Sequence, residues 1–106
     1  MDNNVIALIE ELLLSNTKLQ QLAEADEWDA FLDEAEAYSM GRRTLGEIDL
    51  TQLAQHNKPQ VSAQLTTLLE NDAILTGLIQ RRMATIRSEL SGMRKSNTMK
   101  KAYTAV

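Results

Sequence analysis

The stretch Glu24-Ala25-Asp26-Glu27-Trp28-Asp29-Ala30-Phe31-Leu32-Asp33-Glu34-Ala35-Glu36-Ala37-Tyr38 decides how this chain folds. It holds the only Trp, the only Phe and one of the two Tyr residues, set among carboxylates. Trp28, Phe31, Leu32, Ala35 and Tyr38 recur at steps of three and four, so on a helix they share one apolar face. A helix that gathers most of a small protein's aromatics anchors itself against other helices or presents that face to a partner. The two readings are compatible, because a bundle can bury one side of the face and offer the other. Trp28, Phe31 and Tyr38 are the expected anchors, and full burial of Trp28 would make its truncation to Ala cost about 3–5 kcal/mol.

Outward from this stretch the chain reads as helix almost throughout. Upstream, residues 3–23 carry Ile6, Ile9, Leu13 and Leu8, Leu12, Leu19, Leu22 as a broad apolar stripe. Asp26 has the character of an N-cap, with Glu27 and Asp29 in the first turn of a second helix, about 27–45, that ends near Gly41 or Gly46. Gly46, Asp49 and Asn57-Lys58-Pro59 mark residues 46–58 as a connection, with room for one helical turn within 50–56.

A third helix, about 59–91, would be roughly 50 Å long. Val61, Leu65, Leu68, Asp72, Leu75, Ile79, Arg82, Ile86 and Leu90 form a heptad seam along it. Leu69, Ile74, Leu78 and Met83 lie beside the seam as a second apolar flank, one that needs a third helix, a second subunit or a client to cover it. These four are the expected partner-binding residues. Gly92 is expected to break the helix, leaving a short C-terminal helix over about 94–104. The expected fold is thus all-α: an antiparallel bundle of three main helices plus that short one, with residues 1–106 forming a single domain.

Composition supports this. The chain has 106 residues, one Pro and no Cys, so it has neither disulfides nor thiol chemistry. No basic signal-peptide start precedes an apolar run, and the longest run, Val5 to Ile9, is far too short to span a bilayer. A cytoplasmic protein without membrane contact is expected. The net charge of −4 conceals a polarity: residues 1–40 have ten acids and one base, whereas residues 81–106 have seven bases and one acid. Complementary helix ends, or a basic tail held by an acidic face, account for that pattern. Phosphate binding is the rival for the basic end. The acidic segment would repel the same ligand, and direct nucleic-acid binding is not expected.

No catalytic constellation can be assembled. His56 is the only histidine. The shared face of Asp29, Asp33 and Glu36 lacks the Glu-x-x-His pairs of di-metal bundles. The expectation is a non-enzyme with no metal and no cofactor. Asp72 and Arg82 interrupt the apolar seam, so either both turn to the rim or Arg82 pairs with Glu34 or Glu36 and fixes the helix register. The tail residues Arg94, Lys95, Met99, Lys100, Lys101 and Tyr103 combine cations with two apolar groups at helical spacing. They read as a loosely docked regulatory segment, either a displaceable cover over the client groove or a docking arm for another partner.

Trp28-Asp29, Tyr38 ten residues after the Trp, Leu69-Glu70-Asn71-Asp72, Leu78-Ile79-Gln80-Arg81-Arg82-Met83 and Ala102-Tyr103 occur in this order over roughly residues 8–104. As an ordered set they resemble the FliT-type flagellar export chaperones. Two positions depart from the family pattern: Ala35 stands where Glu is usual, and Thr104 where Gly often follows the terminal Ala-Tyr. The resemblance implies a cytoplasmic chaperone for the C-terminal region of the filament-cap protein, one that blocks premature assembly and delivers its client to the type III export apparatus and its ATPase complex. In some members a flagellar master transcription regulator is a further partner. A chaperone for hook–filament junction proteins and a structural coiled-coil adaptor or homodimer stand as alternatives, and the sequence leaves monomer and homodimer open.

Overall fold

The structure, a computed structural model, describes residues 2–104, with side chains described through residue 93. Three helices carry the chain: α1 (Asp2–Glu24), α2 (Trp28–Gly46) and α3 (Lys58–Thr104). There is no strand among the described residues. Direction alternates along the chain. Gly41 of α2 lies over Leu12 of α1 while Glu34 reaches Ser15, so these two helices run antiparallel. Asn57 meets Asp2 and Asp72 meets Asn16, so α3 runs parallel to α1.

α1 is the central element. Its buried positions are Val5, Ile9, Leu12, Asn16, Leu19 and Ala23, an unbroken four–three heptad rhythm. Ile6, Leu8, Leu13 and Leu22 pack at the margins of that seam. α2 and α3 each bury one residue in seven: Phe31, Tyr38 and Leu45 on one, Val61, Leu68 and Leu75 on the other. A helix with one partner needs only a narrow seam, whereas one gripped from two sides needs a wide one. α2 and α3 accordingly pack on α1 and scarcely on each other.

Polar groups lock the three helices together at mid-height. Asn16 is fully buried. Its Nδ2 donates to Tyr38 Oη at 3.0 Å and to Asp72 Oδ1 at 2.9 Å, and its Oδ1 accepts from Gln20 Nε2 at 2.8 Å. Tyr38 donates its hydroxyl proton to the same Asp72 oxygen, and Arg42 donates to Asp72 Oδ2 at 2.8 Å. Every polar atom of Asn16 has a partner, which is the condition under which a buried polar network strengthens a fold. Burial, then the Asp72 carboxylate, push the Tyr38 phenol up to about 12 from an ordinary 10.0. A second link joins α1 to α2: Ser15 Oγ donates to Glu34 Oε1 at 2.8 Å, with Lys18 3.3 Å from the other carboxylate oxygen. The Ser15 hydroxyl first, then Lys18, hold the Glu34 carboxyl below its usual value.

These contacts settle the two charges in the α3 seam. Asp72 belongs to the three-helix network. Arg82 pairs with neither Glu34 nor Glu36; its guanidinium lies 5.7 Å from the centroid of the Trp28 ring. Glu34 is engaged by α1 instead.

Helix ends differ from expectation at Asp26 and at Gly92. Asp26 does not cap α2. It adopts φ 59° and closes α1, its N–H bonded to Ala23 O at 3.1 Å while the Glu27 N–H bonds Leu22 O at 2.9 Å. This is a Schellman closure, with Asp tolerated in the left-handed position usually held by Gly. Glu27 occupies the N-cap position without a side-chain cap bond, and Asp26 Oδ1 accepts from Trp28 Nε1 instead.

Of the two glycines expected near its end, α2 passes through Gly41 and ends at Gly46. A Cβ at Gly41 would stand 2.7 Å from Leu12 Cδ2, so the missing side chain lets the two helices approach. Gly92 does not interrupt α3, which is one helix of 47 residues, so the expected separate helix over 94–104 is its continuation. One Gly inside a helix costs only about 1 kcal/mol, too little by itself to end so long an element.

The connection from Glu47 to Asn57 holds two 3-10 turns, Leu50–Gln52 and Gln55–Asn57, where one helical turn was expected. Asp49 caps the first by accepting from Thr51 N at 3.0 Å, and Leu53 is buried. Asp2 pins the connection to the start of α1, accepting from Ala54 N at 2.9 Å and Asn57 Nδ2 at 2.7 Å. The Asn57 amide, then the Ala54 N–H, hold the Asp2 carboxyl below its ordinary value.

Phe31 is a core residue, whereas Trp28 is only half-buried, its ring centroid 4.9 Å from that of Phe31. The full cost expected for Trp28 therefore moves to Phe31. Phe31→Ala should lower stability by about 3–5 kcal/mol and Trp28→Ala by about 2 kcal/mol, as measured by urea unfolding. Tyr38 gives a pH prediction. Its phenol ionises more readily in the unfolded chain, so its contribution is complete below pH 10 and is lost as pH rises toward 12. Thermal melts across that window should show a decline for the parent protein that is shallower in Tyr38→Phe.

Candidate partner-binding groove

Because α2 and α3 both rest on α1, a cleft remains between them. At its inner end is a hollow of about 300 Å³ with Leu19 of α1 as floor and Ala35, Tyr38, Asp72 and Leu75 around it. Phe31 and Ile79 connect this hollow to a second, of about 400 Å³, walled by Trp28 and Leu32 on one side and Arg82, Met83 and Ile86 on the other. From Asp72 to Ile86 the cleft follows about 20 Å of α3. Its outer half is almost wholly apolar apart from the Arg82 head group.

The α3 seam also outlasts its cover. Val61, Leu68 and Leu75 are buried, but Ile79 is 39% exposed, Met83 46%, Leu90 48% and Met93 62%. With the half-buried Ile86 these residues keep the four–three rhythm of a seam. α1 has 23 residues and α2 has 19 against 47 in α3, so the distal part of α3 has no helix beside it. The longest dimension of the molecule, 77 Å, reflects this. On the opposite wall Leu32 is 66% exposed. Apolar side chains contiguous across two elements and open to water are the signature of an interaction surface.

The four residues expected to bind a partner do not come together. Met83 lines the cleft. Leu69 is exposed near the base of α3, beside Leu53, Val61 and Leu65. Ile74 is exposed and lines none of the hollows described here. Leu78 packs against the core, on the far side of Trp28 with Ala23 and Arg81. Trp28 and Phe31, expected only as anchors, also line the cleft, while Tyr38 closes its inner end. Leu32, Ile79 and Ile86 line the cleft without having been among the residues expected to bind a partner. The signal for them was helix length: a seam on a helix longer than its neighbours must emerge bare. The side chains of Arg94, Lys95, Met99, Lys100, Lys101 and Tyr103 lie outside the described residues.

Among the described residues no cluster of three or more His, Cys, Asp or Glu side chains could hold a metal ion. Among the same residues no helix is long and apolar enough to cross a membrane. The cleft offers an elongated, mainly apolar surface between two helices. A family model described as "Flagellar protein FliT" matches residues 6–105. No curated protein and no solved structure matches the chain.

Leu32→Asp and Met83→Asp remove apolar surface from the two walls without touching the core. Each should change the unfolding free energy by no more than about 0.5 kcal/mol, while binding of an environment-sensitive dye to the cleft should fall. Leu68→Asp, which places a carboxylate in the α1–α3 seam, should abolish the cooperative melt.

Proposed function

Since this chain belongs to the FliT family of flagellar proteins, we propose that it is a cytoplasmic flagellar export chaperone whose client is the C-terminal region of the filament-cap protein. The observation that carries the reading is the open apolar cleft between α2 and α3, continued by the bare stripe Ile79, Met83, Ile86, Leu90 and Met93. An amphipathic client helix laid there would complete what the short α1 and α2 leave uncovered. Its own apolar face would be hidden meanwhile, which is how premature assembly is prevented. The work is binding and release, with no covalent step.

Delivery follows from the length of α3. It extends beyond the packed part of the molecule, and the chain from residue 81 onward carries seven bases. This geometry favours a docking arm for the export ATPase complex over a cover that folds back, because no turn at Gly92 is available to fold it. The flagellar master transcription regulator is a further partner under this reading. The bare stripe favours one other use, self-association as a homodimer, which sedimentation at several concentrations would report.

Co-expression with the cap protein and with hook–filament junction proteins tests the client. Co-purification of the cap protein alone is expected, and recovery of a junction protein instead would reassign the chaperone. Calorimetry against the cap protein's C-terminal region should show Leu32→Asp and Met83→Asp weakening binding at least tenfold, about 1.4 kcal/mol, with far-UV helicity intact. Undiminished binding by both variants would place the client elsewhere.

A further inference from the structure

Arg82 is the single charged group among the residues lining the outer cleft. Its guanidinium stacks on Trp28, and no carboxylate lies within ion-pair distance of it among the described residues. In the open cleft the half-buried Arg82 remains accessible to water. A helix seated between Leu32 and Met83 would strip that water away, and an unpaired buried cation is strongly unfavourable. Trp28 supplies only a π-face to the cation, and its N–H is already given to Asp26. Arg82 also borders the hollow beyond Trp28 with Asp26 and Glu89, but neither carboxylate is within ion-pair distance, so inside the cleft the acceptor is left to the occupant.

The rims carry opposite signs as well. Beyond Leu32 on α2 stand the exposed Asp29, Asp33 and Glu36, and beyond Met83 on α3 stands the exposed Arg87. The helical step of 100° per residue places each of these just outside its apolar neighbour. An occupant is thereby sorted by charge as well as by hydrophobicity.

We propose that Arg82 is the specificity-determining residue of the cleft: it selects an amphipathic helix bearing a carboxylate within its apolar stripe, and pairing that carboxylate with Arg82 fixes the register of the bound helix. This rests on the cleft being the client site. An acid within an otherwise apolar stripe is a cost to any partner that lacks a cation at that depth, so the pair discriminates against wrong partners more than it adds affinity.

The test uses the full chain and three synthetic amphipathic helices of about three heptads, with Leu at the seam positions and Glu, Gln or Lys at one central seam position. Trp28, the only Trp, reports occupancy by fluorescence, and calorimetry supplies the affinities. The parent protein should prefer Glu over Gln by about tenfold and Gln over Lys by a similar factor, with the preference shrinking at high salt. Arg82→Gln should erase the preference and Arg82→Glu should invert it in favour of Lys, with thermal midpoints checking that both variants fold. Arg81→Gln is the control: Arg82 borders both the cleft and the hollow beyond Trp28, whereas Arg81 lines the latter and not the cleft, and the preference should survive its loss. If the three peptides bind the parent equally, and Leu32→Asp weakens all three, the cleft stands as the binding site and the role given to Arg82 is overturned. If no peptide binds, or binding leaves Trp28 fluorescence unchanged, both the role and the site are overturned together.

Discussion

The carboxylate of Asp72 is the constraint on which the arrangement depends. One oxygen accepts from α1 through Asn16 and from α2 through Tyr38, and the other accepts from Arg42. An apolar seam alone would leave the helices free to slide by a heptad, since Leu packs on Leu at many offsets. A buried Asn with two donors and one acceptor to place has a single solution here. The pair formed with Arg42 is partly open to solvent and adds little stability by itself. Its contribution is to register: it sets which turn of α3 faces which turn of α1 and α2.

Placing that junction at mid-height, with α1 in the middle, leaves the α2–α3 side of the molecule open. Two helices that rest on a third need not close on each other, and Gly41 lets α2 lie close against α1. The cleft is therefore a direct product of how the heptad positions are divided. One seam position in seven on α2 and on α3 goes to α1, and the alternate positions, Trp28 and Ala35 on one helix, Ile79 and Ile86 on the other, are left to line a groove.

Much of the helical content was legible because it depends on local pattern. The apolar spacing of α1 and α2 and the turn signals near Asp49 and Pro59 mark out three helices and the connection before the third. Tyr38 as an anchor also followed from its spacing from Phe31. What escaped depends on tertiary contact. Asn16 looks like any polar residue on a helix until two partners from distant segments reach it. Asp26 carries equal signals for ending one helix and starting the next, and only the path of the backbone decides between them. Gly41 and Gly92 look like breakers by composition, yet one is a close-approach site and the other is carried through by the helix around it. The open apolar surface was expected beside the α3 seam, at Leu69, Ile74, Leu78 and Met83, whereas of these Met83 alone lines the cleft, with Ile79 and Ile86 of the seam itself.

The position of α1 has a consequence for how the protein comes to exist. The central helix is made first, but its contact with Asp72 spans 56 residues and must wait until well over half of the chain has been synthesised. In the interval α1 and α2 can form a hairpin around Phe31 and Tyr38, with Asn16 already bonded to the Tyr38 hydroxyl and the other flank of α1 bare. Such a hairpin is a sticky nascent species of the kind that ribosome-associated factors shield. A protein proposed to guard another's exposed helix would thus leave a flank of its own central helix bare until Asp72 and the rest of α3 arrived.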